Sequence, residues 1–148
     1  MSILTKSDIE KLLPHREPML LINSLIDVKK LHSATGIVSV RKNSFFVDGH
    51  FPENPVMPGV LIVEAFGQTA AALTANGLDK STYENKLVFL MNIEKARFRN
   101  PVMPDCELLL NIEAIRTHGK VWKYKGQAFV NDKLMADATW SATIVDKK

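Results

Sequence analysis

The chain has 148 residues, which is close to the usual size of one domain and too short for two ordinary domains with a linker. Hydrophobic residues make up 46% of it, enough to bury a core, and this excludes a disordered tail. The net charge is only +3, from 19 Lys and Arg against 16 Asp and Glu, so a nucleic-acid partner is not predicted. We therefore expect a single domain over residues 1–148.

The cysteine count and the N-terminus bear on the compartment. Cys106 is the one cysteine and cannot form a disulfide within the chain. Asp8 and Glu10 interrupt the first apolar stretch, so no signal peptide is predicted. No apolar run approaches the roughly 18 residues that a membrane helix needs. These observations favour a cytoplasmic protein that does not insert into membranes.

The N-terminal part of the chain predicts a short helix followed by two strands. Ser7 and Glu10 have the spacing of a capping box, which predicts a helix over about residues 8–12. Residues 19–28 and 33–40 are apolar and β-branched without the spacing of a helix. Both ranges therefore predict strands.

A long loop and a long helix come next. Residues 41–57 contain two prolines, a glycine and several turn-forming polar residues, which predicts an ordered loop of the length that is usually functional. From Pro58 to Gly77 the chain has the early proline and late glycine of a helix. We expect this helix, about residues 59–76, to be buried because apolar side chains surround its circumference.

The rest of the chain predicts four strands, over about residues 87–99, 106–117, 121–130 and 133–145. The second and fourth alternate apolar and polar side chains, as half-buried strands do. Short turns between the last three strands predict an antiparallel meander. The predicted fold class is α+β, with one buried helix packed on a curved antiparallel sheet.

Glu64 is the first candidate for chemistry, because it lies inside the most apolar helix of the chain. An unpaired ionised carboxylate is costly in such a place. Gln68 lies one turn later on the same helix face, where its amide can orient the carboxyl group. The alternative is that Glu64 reaches the edge of the helix or pairs with a structural cation.

His50 and Gly59 complete a candidate site. Imidazole titrates near neutrality and suits a general base, and the loop that carries His50 leads into the helix of Glu64. A loop histidine is also common as a structural hydrogen-bonding residue or as a solvated side chain. Gly59, at the start of the helix, offers free amides and lets a ligand approach the backbone, as in an oxyanion hole.

A base, an acid and a donor to a carbonyl oxygen suit removal of a proton next to a carbonyl, with loss or gain of a β-substituent. No serine stands in a nucleophile elbow, and no GxGxxG or Walker loop is present. Neither a metal nor another cofactor is predicted, because metal-ligand spacing is missing from the four histidines, His15, His32, His50 and His118.

Three segments carry the motifs of one family: LPHREPMLL at 13–21, GHFPENPVMPGVLIVEA at 49–65 and KARFRNPV at 95–102. With them the chain resembles, over nearly its whole length, the FabZ-type (3R)-hydroxyacyl-[acyl-carrier-protein] dehydratases of bacterial fatty acid synthesis. The resemblance implies a hot-dog fold, in which an antiparallel sheet wraps a long central helix. It also implies an enzyme that converts (3R)-hydroxyacyl thioesters on acyl carrier protein to trans-2-enoyl thioesters.

The resemblance further implies a role for each candidate. His50 would remove the α-proton of the substrate, and Glu64 would protonate or orient the departing hydroxyl. The Gly59 amide would bind the thioester carbonyl, and Gln68 would support Glu64. Glu rather than Asp at position 64 implies dehydration without isomerisation. Because the family builds each site from two subunits, a homodimer is implied, often assembled as a trimer of dimers.

The acyl carrier protein is the expected partner. It is strongly acidic in this family, and the alternate spacing of Lys95, Arg97 and Arg99 predicts that all three lie on one face of a strand, as docking residues. A merely solvated sheet face is the alternative. We expect the acyl chain in an apolar tunnel lined by Phe66 and by residues of the range 87–98.

Two other functions remain open at this stage. A hot-dog acyl thioesterase would hydrolyse the same thioesters, and the fold also suits a non-catalytic acyl-thioester-binding subunit. The pairing of His50 with Glu64 favours elimination, since a binding pocket does not need a desolvated carboxyl group. The products separate the reactions, because hydrolysis releases free thiol and dehydration gives a conjugated enoyl thioester.

Overall fold

A seven-stranded antiparallel sheet and one long helix form the part of the chain that the computed structural model describes, residues 2–84 and 86–146. The elements in chain order are β1 (Ser2–Leu4), α1 (Lys6–Leu12), β2 (Ser24–Lys29), β3 (Ser33–Val40), α2 (Gly59–Gly77), α3 (Lys80–Tyr83), β4 (Lys86–Phe98), β5 (Cys106–His118), β6 (Val121–Val130) and β7 (Lys133–Asp146). The predicted α+β class is confirmed, and α2 matches the predicted central helix within one residue.

The strands are hydrogen-bonded in the order β1-β2-β3-β5-β6-β7-β4. Strands β5, β6 and β7 form the predicted meander, and β3 pairs with β5 from Ser33 opposite Glu113 to Val40 opposite Cys106. Strand β4 pairs with β7 over nearly its whole length. Among the described strands, β1 and β4 have a neighbour on one side only, so β4 forms one edge of the sheet.

Helix α2 packs across the inner face of this sheet, against β3 to β7. Its fully buried Phe66 stacks on Trp140 of β7, with ring centroids 5.3 Å apart. The sheet approaches helix α2 very closely at Gly36 of β3, where an added Cβ would lie 2.2 Å from Oγ1 of Thr69. A glycine at this point therefore lets sheet and helix share one core.

Local structure differs from the predictions in three places. Helix α1 begins earlier, because Thr5 and Asp8 form the capping box that was predicted for Ser7 and Glu10. The strand predicted over 19–28 is shorter and begins at Ser24. Strand β1 and helix α3 were not predicted, since three or four residues are too few to show a periodic pattern.

None of the described helices combines the length and the apolar character that crossing a membrane requires.

Candidate active site

The first turn of α2 begins at Gly59, directly after Pro58. The amides of Leu61 and Ile62 donate to the Pro58 carbonyl, whereas the Gly59 amide donates to no backbone carbonyl of the described residues. This N–H group is therefore available to an oxygen atom at the positive end of the helix. An added Cβ at Gly59 would lie 2.9 Å from the ring of Phe98, so this ring stands directly beside the glycine.

Glu64 lies on the one side of α2 that opens to a cavity, and its side chain is 34% exposed. Glu64 is therefore only partly buried in the single chain, as in the alternative that it reaches the edge of the helix. Gln68, which is only 1% exposed, donates its Nε2 to Oε2 of Glu64 at 2.9 Å. It also donates to the Met19 carbonyl at 2.7 Å, and its Oε1 accepts from the Leu21 amide at 2.8 Å. Gln68 thus ties the carboxyl group to the segment before β2.

These bonds also explain the shortened second strand. The backbone groups of Met19 and Leu21 bind the side chain of Gln68 instead of a neighbouring strand. Leu20, Leu21 and Ile22 are buried, as they would be in a strand, but the hydrogen bonds of this segment position Gln68 beside Glu64.

The ring of His50 is oriented by the backbone of its own loop. Its ring Nδ1 lies 2.8 Å from the carbonyl oxygen of Val56, and the Val56 amide donates to the His50 carbonyl at 2.8 Å. A carbonyl oxygen only accepts, so Nδ1 carries the ring proton and Nε2 is left as the basic nitrogen. The ring also stacks on Phe51, with centroids 4.2 Å apart. His50 therefore has the tautomer that a general base needs.

One chain does not bring the two groups into one cavity. The cavity at Glu64 is narrow, about 40 Å³, and its lining comes from α2, from His15 and from strands β4 and β7. No described residue of the loop 41–58 belongs to this lining. Of the four predicted site residues, the structure joins Glu64 with Gln68 and leaves His50 and Gly59 outside the cavity.

The sequence analysis missed His15 as a site residue. Its Nε2 lies 3.6 Å from Oε2 of Glu64. Burial lowers the pKa of His15 from its usual 6.5, the Glu64 carboxylate opposes this shift, and Arg16 adds to it. His15 is 49 residues from Glu64 in sequence and belongs to no periodic pattern, so only the motif at 13–21 marked its segment.

An apolar cavity of about 30 Å³ continues from the cavity at Glu64. Ala71, Val88 and Ala142 line both spaces, and Trp122 and Tyr124 lie farther along. Of the residues predicted to line the acyl tunnel, Val88 and Leu90 border these cavities and Phe66 does not. Phe66 is fully buried against Trp140 and does not belong to either lining, because the other side of α2 faces the cavities.

The three predicted docking residues are exposed, at the end of β4. In the pairing of β4 with β7, Lys95 lies opposite Thr139 and Arg97 lies opposite Asp137. Their side chains lie on the sheet face that points away from α2. Arg99 follows the last residue of the strand and forms an ion pair with Asp137, with Nε and Oδ2 2.7 Å apart. The Asp137 carboxylate thus partly neutralises this basic group.

The described residues contain no group of three His, Cys, Asp or Glu side chains placed to hold a metal ion. The absence of a metal or cofactor from the reaction stays a prediction of the sequence analysis.

Comparisons with known proteins agree with this architecture. The family described as the FabA-like domain matches residues 13–139. The chain is 49% identical to the 3-hydroxyacyl-[acyl-carrier-protein] dehydratase FabZ of Gluconobacter oxydans, over 90% of this chain and 78% of that protein. It is 47% identical to the FabZ protein of Rhodospirillum rubrum, over 93% and 85% of the two chains.

Among solved structures, the dehydratase heterocomplex ApeI:P of Xenorhabdus doucetiae matches with a TM-score of 0.81 at 15% identity, over 94% of this chain and 91% of that one. At this identity the match shows a shared hot-dog fold. The family match over most of the chain, together with the relatives at nearly half identity, shows that the chain belongs to the FabA-like family and, within it, stands among the 3-hydroxyacyl-[acyl-carrier-protein] dehydratases of the FabZ type.

Proposed function

We propose that the protein dehydrates (3R)-hydroxyacyl thioesters carried by acyl carrier protein to trans-2-enoyl thioesters, and that it works in the cytoplasm. The observation that carries this proposal is the tautomer of His50. A ring proton held on Nδ1 by the Val56 carbonyl leaves Nε2 ready to accept a proton from carbon. An acyl-thioester-binding subunit has no need of this arrangement.

The proposed reaction uses three groups. The Gly59 amide donates to the thioester carbonyl and stabilises the negative charge that develops on its oxygen. Nε2 of His50 takes the proton from C2, and the C2–H electrons form the double bond as the C3–O bond breaks. Glu64 gives its proton to the departing hydroxyl, which leaves as water. The proton on His50 then returns to Glu64 through solvent, and both groups are restored.

We propose that the active unit is a homodimer built through β4. This strand has a free edge, and its side chains Phe89, Met91, Ile93 and Phe98 are 45–53% exposed, which is unusual for so many apolar residues on one strand. A second copy paired along this edge would cover them. The resemblance implies in addition that three such dimers assemble, and a mass measurement in solution tests this.

The same strand supports a site shared between subunits. Val88 and Leu90 of β4 line the cavity of Glu64, so a partner paired with β4 would stand beside that cavity. Phe45 and Phe51, on the loop that carries His50, are 51% and 53% exposed. In the proposed dimer these two side chains pack on the partner and bring His50 to the Glu64 of the other subunit.

For the carrier protein we propose docking at the end of β4. Phe98, the last residue of β4, packs beside Gly59 at the start of α2, and the exposed Lys95 and Arg97 precede it on the same strand. An acidic carrier bound there would have its prosthetic arm close to the Gly59 amide. Replacing both residues by Glu should raise KM for carrier-bound substrate and leave KM for a short pantetheine thioester unchanged. Lys133→Glu, at the exposed first residue of β7, is the matched control.

The proposed function is tested by product analysis. The wild-type protein and the His50→Ala variant are incubated with a short 3-hydroxyacyl thioester on acyl carrier protein, and enoyl absorbance and mass are followed. The proposal predicts an enoyl thioester from the wild type and none from the variant. Free thiol would identify a thioesterase, and binding of the carrier without conversion at any chain length would identify a binding subunit.

A further inference from the structure

Oε2 of Glu64 has two neighbours that carry N–H groups. Nε2 of Gln68 donates to it at 2.9 Å, and Nε2 of His15 lies 3.6 Å away. The second separation is longer than a formed hydrogen bond, but such contacts in an active site tighten when substrate closes it. Both groups approach the same carboxyl oxygen, Oε2, and among the described residues Oε1 has no hydrogen bond or ion pair of this kind.

The surroundings of His15 determine its tautomer. Its Nδ1 is buried and has no hydrogen-bond partner among the described residues. A buried N–H group without an acceptor costs more than a buried ring nitrogen without a donor. The ring proton therefore belongs on Nε2, where it points toward the carboxyl group of Glu64.

The segment of His15 is fixed to the helix, so the contact is built into the fold. Nη1 of Arg16 donates to the carbonyls of Leu13 and His15, at 2.8 Å and 2.7 Å. Farther along the segment, Met19 accepts from Gln68. The charged groups that act on His15 are Glu64 of α2 and Arg16 of its own segment, while β4 and β7 contribute only Val88, Leu90 and Ala142 to the cavity.

We propose that His15 is a positioning residue for Glu64. Its neutral imidazole and the Gln68 amide both hold Oε2 as an acceptor, so that the proton of the carboxylic acid is carried by Oε1. Glu64 then presents its proton to the departing hydroxyl in one orientation instead of two. This inference rests on the proposed dehydration, and it assigns to His15 an action through Glu64 without contact to substrate.

Two substitutions separate the N–H donor from the shape of the ring. His15→Phe keeps an aromatic ring at this position but removes the N–H donor. We expect kcat to fall about tenfold at unchanged KM, because one hydrogen bond is lost. In His15→Gln an amide nitrogen replaces Nε2, and most of kcat should return. His118→Phe, an exposed histidine on β5, is the matched control and should keep wild-type values.

Three results would overturn the proposal: wild-type kcat in His15→Phe, equal losses in the Phe and Gln variants, or a rise in KM alone. The Gln variant keeps the test decisive where the Phe variant does not fold. A rise in KM alone would place His15 in contact with the bound acyl chain of the substrate.

A titration that does not depend on turnover completes the test. Nitrogen chemical shifts of His15 are followed by NMR in the wild type and in Glu64→Gln. The proposal predicts the Nε2–H tautomer at neutral pH. At pH values where Glu64 is ionised, its charge favours the protonated imidazole, so Glu64→Gln should lower the pKa of His15. Identical titration curves or the other tautomer would overturn it. A His15 titration that responds to Glu64→Gln, in a protein that forms no enoyl product, would refute the proposed dehydration and leave the contact between His15 and Glu64 in place.

Discussion

Gln68 joins Glu64 to a segment that lies nearly fifty residues earlier in the chain, since one buried amide binds Oε2 of Glu64 and the backbone of Met19 and Leu21. Gln68→Leu keeps the approximate volume of the side chain but leaves the buried Leu21 amide and the Met19 carbonyl without this partner. We expect a loss of stability of about 2–4 kcal/mol and a kcat reduced more than tenfold. Thermal unfolding and steady-state kinetics measure both effects.

Gln127→Leu, an exposed glutamine on β6, is the control for the Gln68 substitution and should change neither quantity. A Gln68→Leu variant with normal turnover would show that Glu64 does not need this support.

A site shared between subunits predicts complementation. His50→Ala and Glu64→Gln should each lower turnover by roughly 10²–10⁴-fold, because each removes one proton-transfer group. Mixed dimers hold one intact site, so an equal mixture should recover up to about a quarter of wild-type activity after subunit exchange. The measurement is the rate of the mixture, with exchange followed by mass spectrometry. Exchange without recovery would place both groups of a site in one chain.

The contact between Gly59 and Phe98 predicts the effect of a single methyl group. In Gly59→Ala the new Cβ would lie 2.9 Å from the Phe98 ring, so the ring or the first turn of α2 must shift. We expect a lower kcat, since the amide that binds the thioester oxygen moves away from its place. Kinetics with Gly59→Ala and with Gly59→Ala/Phe98→Ala test this, because removing the ring should restore part of the rate. No loss in the single variant would contradict the assigned role of the amide.

The two adjoining cavities predict a change in chain-length preference. Ala142 lines both of them, so the larger side chain of Ala142→Leu narrows the passage from Glu64 to the apolar cavity. Thioesters of long 3-hydroxyacyl chains should lose most of their kcat/KM, whereas a four-carbon substrate, which does not reach the passage, serves as the internal control. Equal losses for both substrates would mean that the acyl chain lies elsewhere.

Tyr124 and Thr74 form a buried hydroxyl pair, 2.5 Å apart, which predicts a dependence of stability on alkaline pH. Burial raises the pKa of Tyr124 well above its usual value of about 10, and the bond to Thr74 opposes this. Above about pH 10 the Tyr124 phenol loses its proton in the unfolded chain but keeps it in the folded protein. Stability is therefore complete below pH 10 and falls as pH rises further.

The double variant Thr74→Val/Tyr124→Phe removes both hydroxyl groups and should lose less stability than the wild type between pH 10 and pH 11. Thr74→Val alone leaves the Tyr124 hydroxyl unpaired and should cost about 1–3 kcal/mol at neutral pH. Urea unfolding at several pH values measures both, and parallel curves for wild type and double variant would contradict the assignment.

Elements with a repeating pattern were predictable from sequence. Strands β5 and β7 alternate along most of their length, and α2 has a proline before it and a glycine at its end, so their bounds agree within one residue. The range 19–28 has the composition of a strand, but a side-chain amide from α2 takes its hydrogen bonds. Composition carries no information about a partner so far away in the chain.

The candidate site was predictable only in part, for the same reason. His50, Gly59 and Glu64 belong to one continuous motif, and Gln68 follows one helical turn later, so the four were found together. The contact of His15 with Glu64 depends on how the segment before β2 folds back on the helix. The partial exposure of Glu64 likewise depends on the position of the edge strand β4 in the folded sheet, which local sequence patterns do not predict.

The carbonyl of Val56 bonded to His50 belongs to the main chain, and no substitution at position 56 deletes it. In catalytic triads the orienting group is a side chain, and one mutation removes it. Here the proton state of the base is protected from such mutations. Side chains around the acyl cavity are thus free to change during evolution, and new chain-length preferences can arise without a new way of preparing the base.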